Sequence, residues 1–175
     1  MRAVFLDRDG VLNVAVVRYG KPYPPPGIQT VQLYPDAAAA LAQLKTAGFL
    51  LLVVTNQPDV SRGNQTRAVV EAQNAAIKAE LPIDDFFVCW HDDRDHCSCR
   101  KPKPGLLLEA AARYPIDFPA SFLIGDRWRD IDAGAAVGCR TILIDRQYRE
   151  RPPAAEPDFR AVSLQQAAEW ILKLN

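Results

Sequence analysis

Two carboxylates one residue apart, Asp7 and Asp9, end a short apolar run and are followed by Gly10. If 3–6 is a buried strand, both emerge at its carboxyl end, where open α/β sheets place their ligands. A polar turn leaving the core would use the same residue types, so the rest of the chain must decide. Other apolar runs also stop at residues able to handle phosphate: Thr55 and Asn56 after one, Asp126 after another. In a parallel sheet these ends share one edge, and Arg100 and Lys101 can join them from a neighbouring loop. Hard oxygens from Asp7 and Asp126 suit Mg²⁺, which takes few protein ligands and completes its shell with water and phosphate.

A second cluster carries softer ligands. Cys89 and His91 are followed after five residues by Cys97 and Cys99, while Cys139 stands alone. Four cysteines so distributed make a poor disulfide framework and a good closed zinc site, Cys₃His, with every position filled by protein. His96 is the rival imidazole, although its adjacency to Cys97 makes the pairing through His91 easier to close. Such a site is structural, and its task would be to fold the loop that delivers Arg100 and Lys101. Cys139 reads as a small buried hydrophobe.

The elements that must position these groups alternate. Strands are expected over 3–6, 49–54, 86–90, 122–124 and 141–144. Helices are expected from Pro35-Asp36 to Gly48 with Pro in the first turn, over 66–81 with Thr66 as N-cap, over 104–114 and over 131–137. A last helix starts at Ser163 and turns Ala167, Trp170, Ile171 and Leu174 inward. The strand over 49–54 is continuously apolar, as in a sheet covered on both faces. The fold class is therefore α/β, a Rossmann-like, mostly parallel sheet with helices on both faces, formed by residues 1–175 as a single domain. The segment over 11–33 shows no sustained period and reads as a loop, a flap beside the site. The Pro-rich stretch around Arg151-Pro152-Pro153 and Pro157 reads as a surface connection.

Composition narrows the partners. Lys+Arg and Asp+Glu both total 21 among 175 residues, so no net charge favours nucleic acid or an anionic membrane. The basic run Arg100-Lys101-Pro102-Lys103 is short and lacks interleaved aromatics. The carboxylates arrive too early for a signal peptide, and no apolar run approaches the ~20 residues of a membrane helix. The chain is expected to be cytoplasmic and monomeric, with a small phosphate ester as its partner.

Taken in order, Asp7-Arg8-Asp9-Gly10, Thr55-Asn56-Gln57, Lys101, and Gly125-Asp126 with Asp130 resemble the haloacid dehalogenase (HAD) superfamily of phosphatases. The resemblance implies that Asp7 is the nucleophile and forms an aspartyl-phosphate, and that Asp9 is the acid/base. It implies further that Thr55 and Lys101 stabilise the transferring phosphoryl group, and that Mg²⁺ sits between the Asp7 and Asp126 carboxylates and the Asp9 carbonyl. Asn56, Gln57 and Arg127 are the expected substrate contacts beside them, whereas Arg8 reads as merely structural and Asp130 as a possible helix cap. The zinc loop running into Cys99-Arg100-Lys101-Pro102 looks like the branch of D-glycero-D-manno-heptose 1,7-bisphosphate and histidinol-phosphate phosphatases, in which the arginine after the last cysteine contacts substrate, here Arg100. That branch has no large cap domain, so loops set specificity. The chain departs from the heptose pattern at 14–19, at Pro58-Asp59-Val60-Ser61 and at Arg127, often Lys in the family. Arg18 and Tyr19 of the flap are expected to help choose the substrate. The expected activity is Mg²⁺-dependent hydrolysis of a heptose bisphosphate, the alternatives being histidinol phosphate or a catalytically silent, zinc-stabilised binding module.

Overall fold

In the computed structural model, which describes residues 1–174, the apolar run Ala3–Leu6 forms β1 and is buried throughout. A hairpin of β2 (Val16–Arg18) and β3 (Lys21–Tyr23) follows, then α1 (Ala37–Thr46), β4 (Leu50–Asn56), α2 (Arg67–Glu80) and β5 (Asp85–Cys89). The second half runs through α3 (Gly105–Arg113), β6 (Phe122–Gly125), α4 (Trp128–Ala136), β7 (Arg140–Ile144), β8 (Phe159–Ala161) and α5 (Leu164–Lys173). Six strands make one parallel sheet in the order β5-β4-β1-β6-β7-β8, and β2 pairs antiparallel with β3 apart from it.

Two cores explain the continuous apolar strands. Val4, Leu6, Leu51 and Val53 pack with α1, α2 and α5 on one face, while Ala3, Phe5, Leu52 and Val54 pack with α3 and α4 on the other. Strand side chains alternate faces, so a strand covered twice has no polar side to show. The chain order reverses beside β1, which lies between β4 and β6. A crevice therefore opens beyond the carboxyl ends of these strands.

Several local expectations are corrected. The 11–33 segment is not uniformly loop, since Tyr19 and Gly20, both at positive φ (53° and 76°), turn a hairpin. Two left-handed central residues match the twist of paired strands. With three residues per strand and Pro22 in the second, no alternation could be read. β8 was missed for the same reason, lying at the sheet edge after a Pro-rich stretch. α4 starts three residues before the expected 131 because the Asp130 carboxylate accepts from the Arg127 backbone N–H at 3.1 Å and caps the helix. Pro35 precedes the N-cap Asp36 instead of entering the first turn. Leu174, expected inward, is exposed, while Ala167 and Ile171 are buried and Trp170 stacks on Phe159.

Candidate active site

The sheet's carboxyl edge collects the strand-end residues. Asp7 follows β1, Thr55 lies near the end of β4, Asp126 follows β6, and Asp130 sits in the first turn of α4. Oxygens of Asp7, Asp126 and Asp130 lie within 4.8 Å of one another, and all three residues are buried. Lys101, 1% exposed, reaches them from the loop before α3. Its ammonium donates to Asp130 Oδ1 (2.5 Å) and the Val54 carbonyl (2.6 Å) and pairs with Asp7 Oδ1 at 3.1 Å. Those three partners use all its donors. Burial works against the lysine's charge, but Asp130 and Asp7 outweigh it and hold its pKa above the ordinary value.

Three carboxylates against one ammonium leave negative charge uncompensated in a buried place, which costs heavily unless a cation or protons balance it. Burial is the main cause pushing Asp7 up to about 6, with Asp130 and Asp9 adding and Lys101 opposing. Burial, then Asp7 and Asp130, push Asp126 well above the carboxylate range. Neither Asp126 oxygen has a hydrogen-bond partner of ordinary geometry, although the Tyr148 hydroxyl nearby favours its charged form. Unpartnered buried carboxylate oxygens are a donor set that suits a hard divalent cation such as Mg²⁺. Gly10, at φ 91°, lets the chain pass over them; a Cβ there would lie 1.8 Å from Asp126 Oδ2.

A cleft of about 260 Å³ opens above this floor, lined by Asp7, Asp9, Thr55, Asn56, Lys101 and Asp130 and by a more basic rim. Asn56 does more than face the cleft. Its side chain both donates to the Lys101 carbonyl and accepts from the Lys101 N–H, each at 3.1 Å, and so fixes the lysine's backbone. Gln57 is completely buried and absent from the lining; it donates to Asp9 Oδ2 (2.8 Å) and Thr55 Oγ1 (3.0 Å). Arg127 lines the cleft while forking onto Glu150. Arg18 does not line it; it is exposed on the hairpin, bordering an adjacent hollow with Asp59 and Arg62. Lys21, Pro22 and Tyr23 of the same hairpin do reach the cleft and were not singled out from sequence.

The cysteine loop supplies the other wall. The sulfurs of Cys89, Cys97 and Cys99 lie 3.2–3.7 Å apart, with His91 Nδ1 3.8 Å from Cys89 Sγ and 3.4 Å from Cys99 Sγ. All four ligand atoms fall within 4.8 Å of one another, the compactness a single metal ion requires. His96, in the left-handed region at φ 50°, caps a short helical turn and is outside the cluster. Gly105 lets α3 seat against this loop, because a Cβ there would come 2.4 Å from the Ser98 carbonyl oxygen. The loop then presents Arg100, which donates to the His91 carbonyl (3.3 Å) and to Asp93 (2.8 Å). Asp93 also accepts from Arg129 of α4 at 3.0 Å, and Asp92 holds Arg62 at 2.8 Å. Arg62, Arg100 and Arg129 thus line the rim, and of the three only Arg100 was expected from sequence as a site residue. Arg129 and Arg62 were missed because their partners, Asp93 and Asp92, are distant in sequence.

The sequence model of the haloacid dehalogenase-like hydrolases matches residues 17–138. A D-glycero-β-D-manno-heptose-1,7-bisphosphate 7-phosphatase of Pseudomonas putida is 33% identical over 159 residues, 86% of each chain. The enzyme of the same name from Escherichia coli K12 is 32% identical, covering 97% of this chain and 87% of its own. Among solved structures, the D,D-heptose 1,7-bisphosphate phosphatase of B. bronchiseptica, complexed with magnesium and phosphate, superposes with a TM-score of 0.84 at 28% identity, with both chains fully covered. The counterpart from Burkholderia thailandensis gives 0.68 at 26% identity, covering 98% of this chain and 99% of the other. Strand order, the buried carboxylate floor and these likenesses agree: the chain belongs to the haloacid dehalogenase-like hydrolases.

Proposed function

We propose that the chain is a Mg²⁺-dependent phosphatase that removes the 7-phosphate of D-glycero-β-D-manno-heptose 1,7-bisphosphate, acting as a monomeric single domain in the cytoplasm. The observation that carries the chemistry is the floor, where two unpartnered Asp126 oxygens face Asp7 and Asp130 across a site with one ammonium. Asp7, Asp126 and the Asp9 carbonyl would hold the cation. When bound, it would draw phosphate oxygens toward the floor and offset their charge.

The residues divide the work. An Asp7 oxygen attacks phosphorus while the other is held by Lys101 and by the Arg8 N–H at 2.8 Å. Thr55 Oγ1 accepts from Gln57, which leaves its own proton free for a phosphoryl oxygen. Asp9 protonates the departing sugar oxygen, then takes a proton from the water that attacks the phosphoryl-aspartate, restoring Asp7 and releasing phosphate. Gln57 and Asn56 support Asp9 and Lys101 in this reading, in addition to the substrate contact expected for Asn56.

A substrate with two phosphates fits the rim. Arg62, Arg100 and Arg129 with Lys21 outnumber Asp59 and Asp93, the aspartates they share the rim with, and leave net positive charge beyond the floor, where a second phosphate would lie. Histidinol phosphate would bring an amine there instead, which this rim disfavours. The Cys₃His cluster is read as a structural Zn²⁺ site, and zinc thiolates fit a reducing compartment. Side-by-side kinetics on the heptose bisphosphate and histidinol phosphate test the reading: a kcat/KM at least about 100-fold higher for the former is expected. Preference for histidinol phosphate, or no hydrolysis of either with Mg²⁺, would contradict it.

A further inference from the structure

Arg8, read from sequence as merely structural, is 1% exposed and among the largest fully buried side chains. A buried guanidinium is costly unless every face is paired. Its Nε and Nη2 each contact both oxygens of Asp9 at 3.0–3.3 Å, and its Nη1 donates to Asn74 Oδ1 at 2.9 Å. Neighbouring strand residues point to opposite faces, so adjacent side chains meet this way only where the chain turns. It turns here, with the Arg8 carbonyl accepting from the N–H groups of Val11, Leu12 and Asn13. Asn13 Nδ2 then donates to Asp9 Oδ1 at 2.9 Å, and Gln57 Nε2 to Oδ2 at 2.8 Å. The Asp9 carboxylate keeps a partial opening to the cleft, which it lines.

We propose that Arg8, braced by Asn74 of α2, is the positioning residue that aims the Asp9 carboxyl group at the departing oxygen. The proposal rests on the reading of Asp9 as acid/base. A planar fork fixes the plane of a carboxylate, whereas a lysine would supply charge without orientation. Asn74 is a buried residue of α2 that does not line the cleft, so it acts on the reaction only through Arg8. In the step concerned, the Asp7 oxygen–phosphorus bond forms as the phosphorus–alkoxy bond breaks. The Asp9 proton moves to the alkoxy oxygen, and a neutral alcohol leaves.

Leaving-group dependence separates aim from general support. An alkyl ester needs that proton, while p-nitrophenyl phosphate releases a phenolate stable without it. The quantity to measure is kcat/KM, which reports steps only through departure of the first product. The substrates are the heptose bisphosphate, β-glycerol phosphate as a second alkyl ester, and p-nitrophenyl phosphate. Asp9→Asn should lower the alkyl-to-aryl ratio about 100-fold, the lower range of general acid catalysis. Arg8→Met should lower it about 10-fold, Arg8→Lys less, and Asn74→Leu about 3-fold, with the aryl ester changed least. Equal losses on alkyl and aryl esters in Arg8→Met and Asn74→Leu would overturn the proposal. If circular dichroism shows Arg8→Met unfolded, Arg8→Lys and Asn74→Leu decide by the same criterion. An Asp9→Asn ratio equal to wild type would overturn the acid/base reading itself and the positioning role with it.

Discussion

At the floor of the cleft, Asp7, Thr55 and Asp130, with Asp126 buried beside them, leave strand ends or a first helical turn, whereas at the rim Lys21, Arg62 and Arg100 ride on a hairpin and loops. The floor is held by the sheet: β1 is hydrogen-bonded on both sides, and the Asp7 N–H continues its ladder to the Ile124 carbonyl at 3.0 Å. The rim is held by aspartates, Asp93 tying Arg100 of the cysteine loop to Arg129 of α4 and Asp92 holding Arg62. Chemistry that tolerates little displacement sits on the rigid part, and recognition that can be retuned sits on the adjustable part. Damage to the floor should therefore appear in kcat and damage to the rim in KM.

The strongest break is at the floor. Asp7→Asn removes the carboxylate proposed as nucleophile with little change of shape, and kcat should fall on the order of 10³-fold or more with the fold retained by circular dichroism. Next comes the wall between the two regions. Cys99→Ser should lower the melting temperature by roughly 5 °C or more and raise KM, because Arg100 and Lys101 immediately follow the lost ligand. Metal analysis of the wild-type chain should find about one zinc per chain. At the rim, Arg62→Ala, whose side chain pairs, among the described residues, only with Asp92 and Asp59, should raise KM about 10-fold and leave kcat within about 3-fold, the loss of one charge-assisted substrate contact. A kcat loss equal to that of Asp7→Asn would erase the division between the two regions.

The smallest effect sharpens the comparison through pH. Asp7, pushed by burial from 3.8 to about 6, and Asp126, also raised mainly by burial, bind protons more tightly in the folded chain than in the unfolded one. Without a cation, the contribution of Asp7 to stability falls as pH climbs from about 4 through about 6, and that of Asp126 likewise falls with rising pH. The rise in melting temperature on adding Mg²⁺ should accordingly be larger near about pH 7.5 than near about pH 4.5. An equal rise at both pH values would count against a carboxylate cation site.

The same division governs what could be read from sequence. Floor residues follow apolar runs, so the sheet strands over 3–6 and 49–54 and the endings Asp7, Thr55 and Asp126 were legible. The clustering of Cys89, His91, Cys97 and Cys99 was legible as well, because short spacing confines the four whatever the loop does. Hairpin strands of three residues and the edge strand β8 lie below the length at which a period shows. The pairing of Arg8 was not legible because its partners depend on a turn and on Asn74, 66 residues away. Gln57 illustrates the limit from the other side: its motif suggested substrate, while the fold buries it against Asp9 and Thr55. Asp130, expected as a helix cap, caps α4 with one oxygen, and with the other it pairs Lys101, a contact the sequence did not reveal.

The central claim is that Asp7 carries the phosphoryl group between two half-reactions. Acid quench during turnover of the heptose bisphosphate with Mg²⁺, followed by proteolysis and mass spectrometry, tests it directly. A phosphoryl group on the peptide containing Asp7, lost on hydroxylamine treatment and absent from Asp7→Asn, is the expected result. Steady turnover by the wild-type chain with every carboxylate peptide unmodified across the quench series would contradict it.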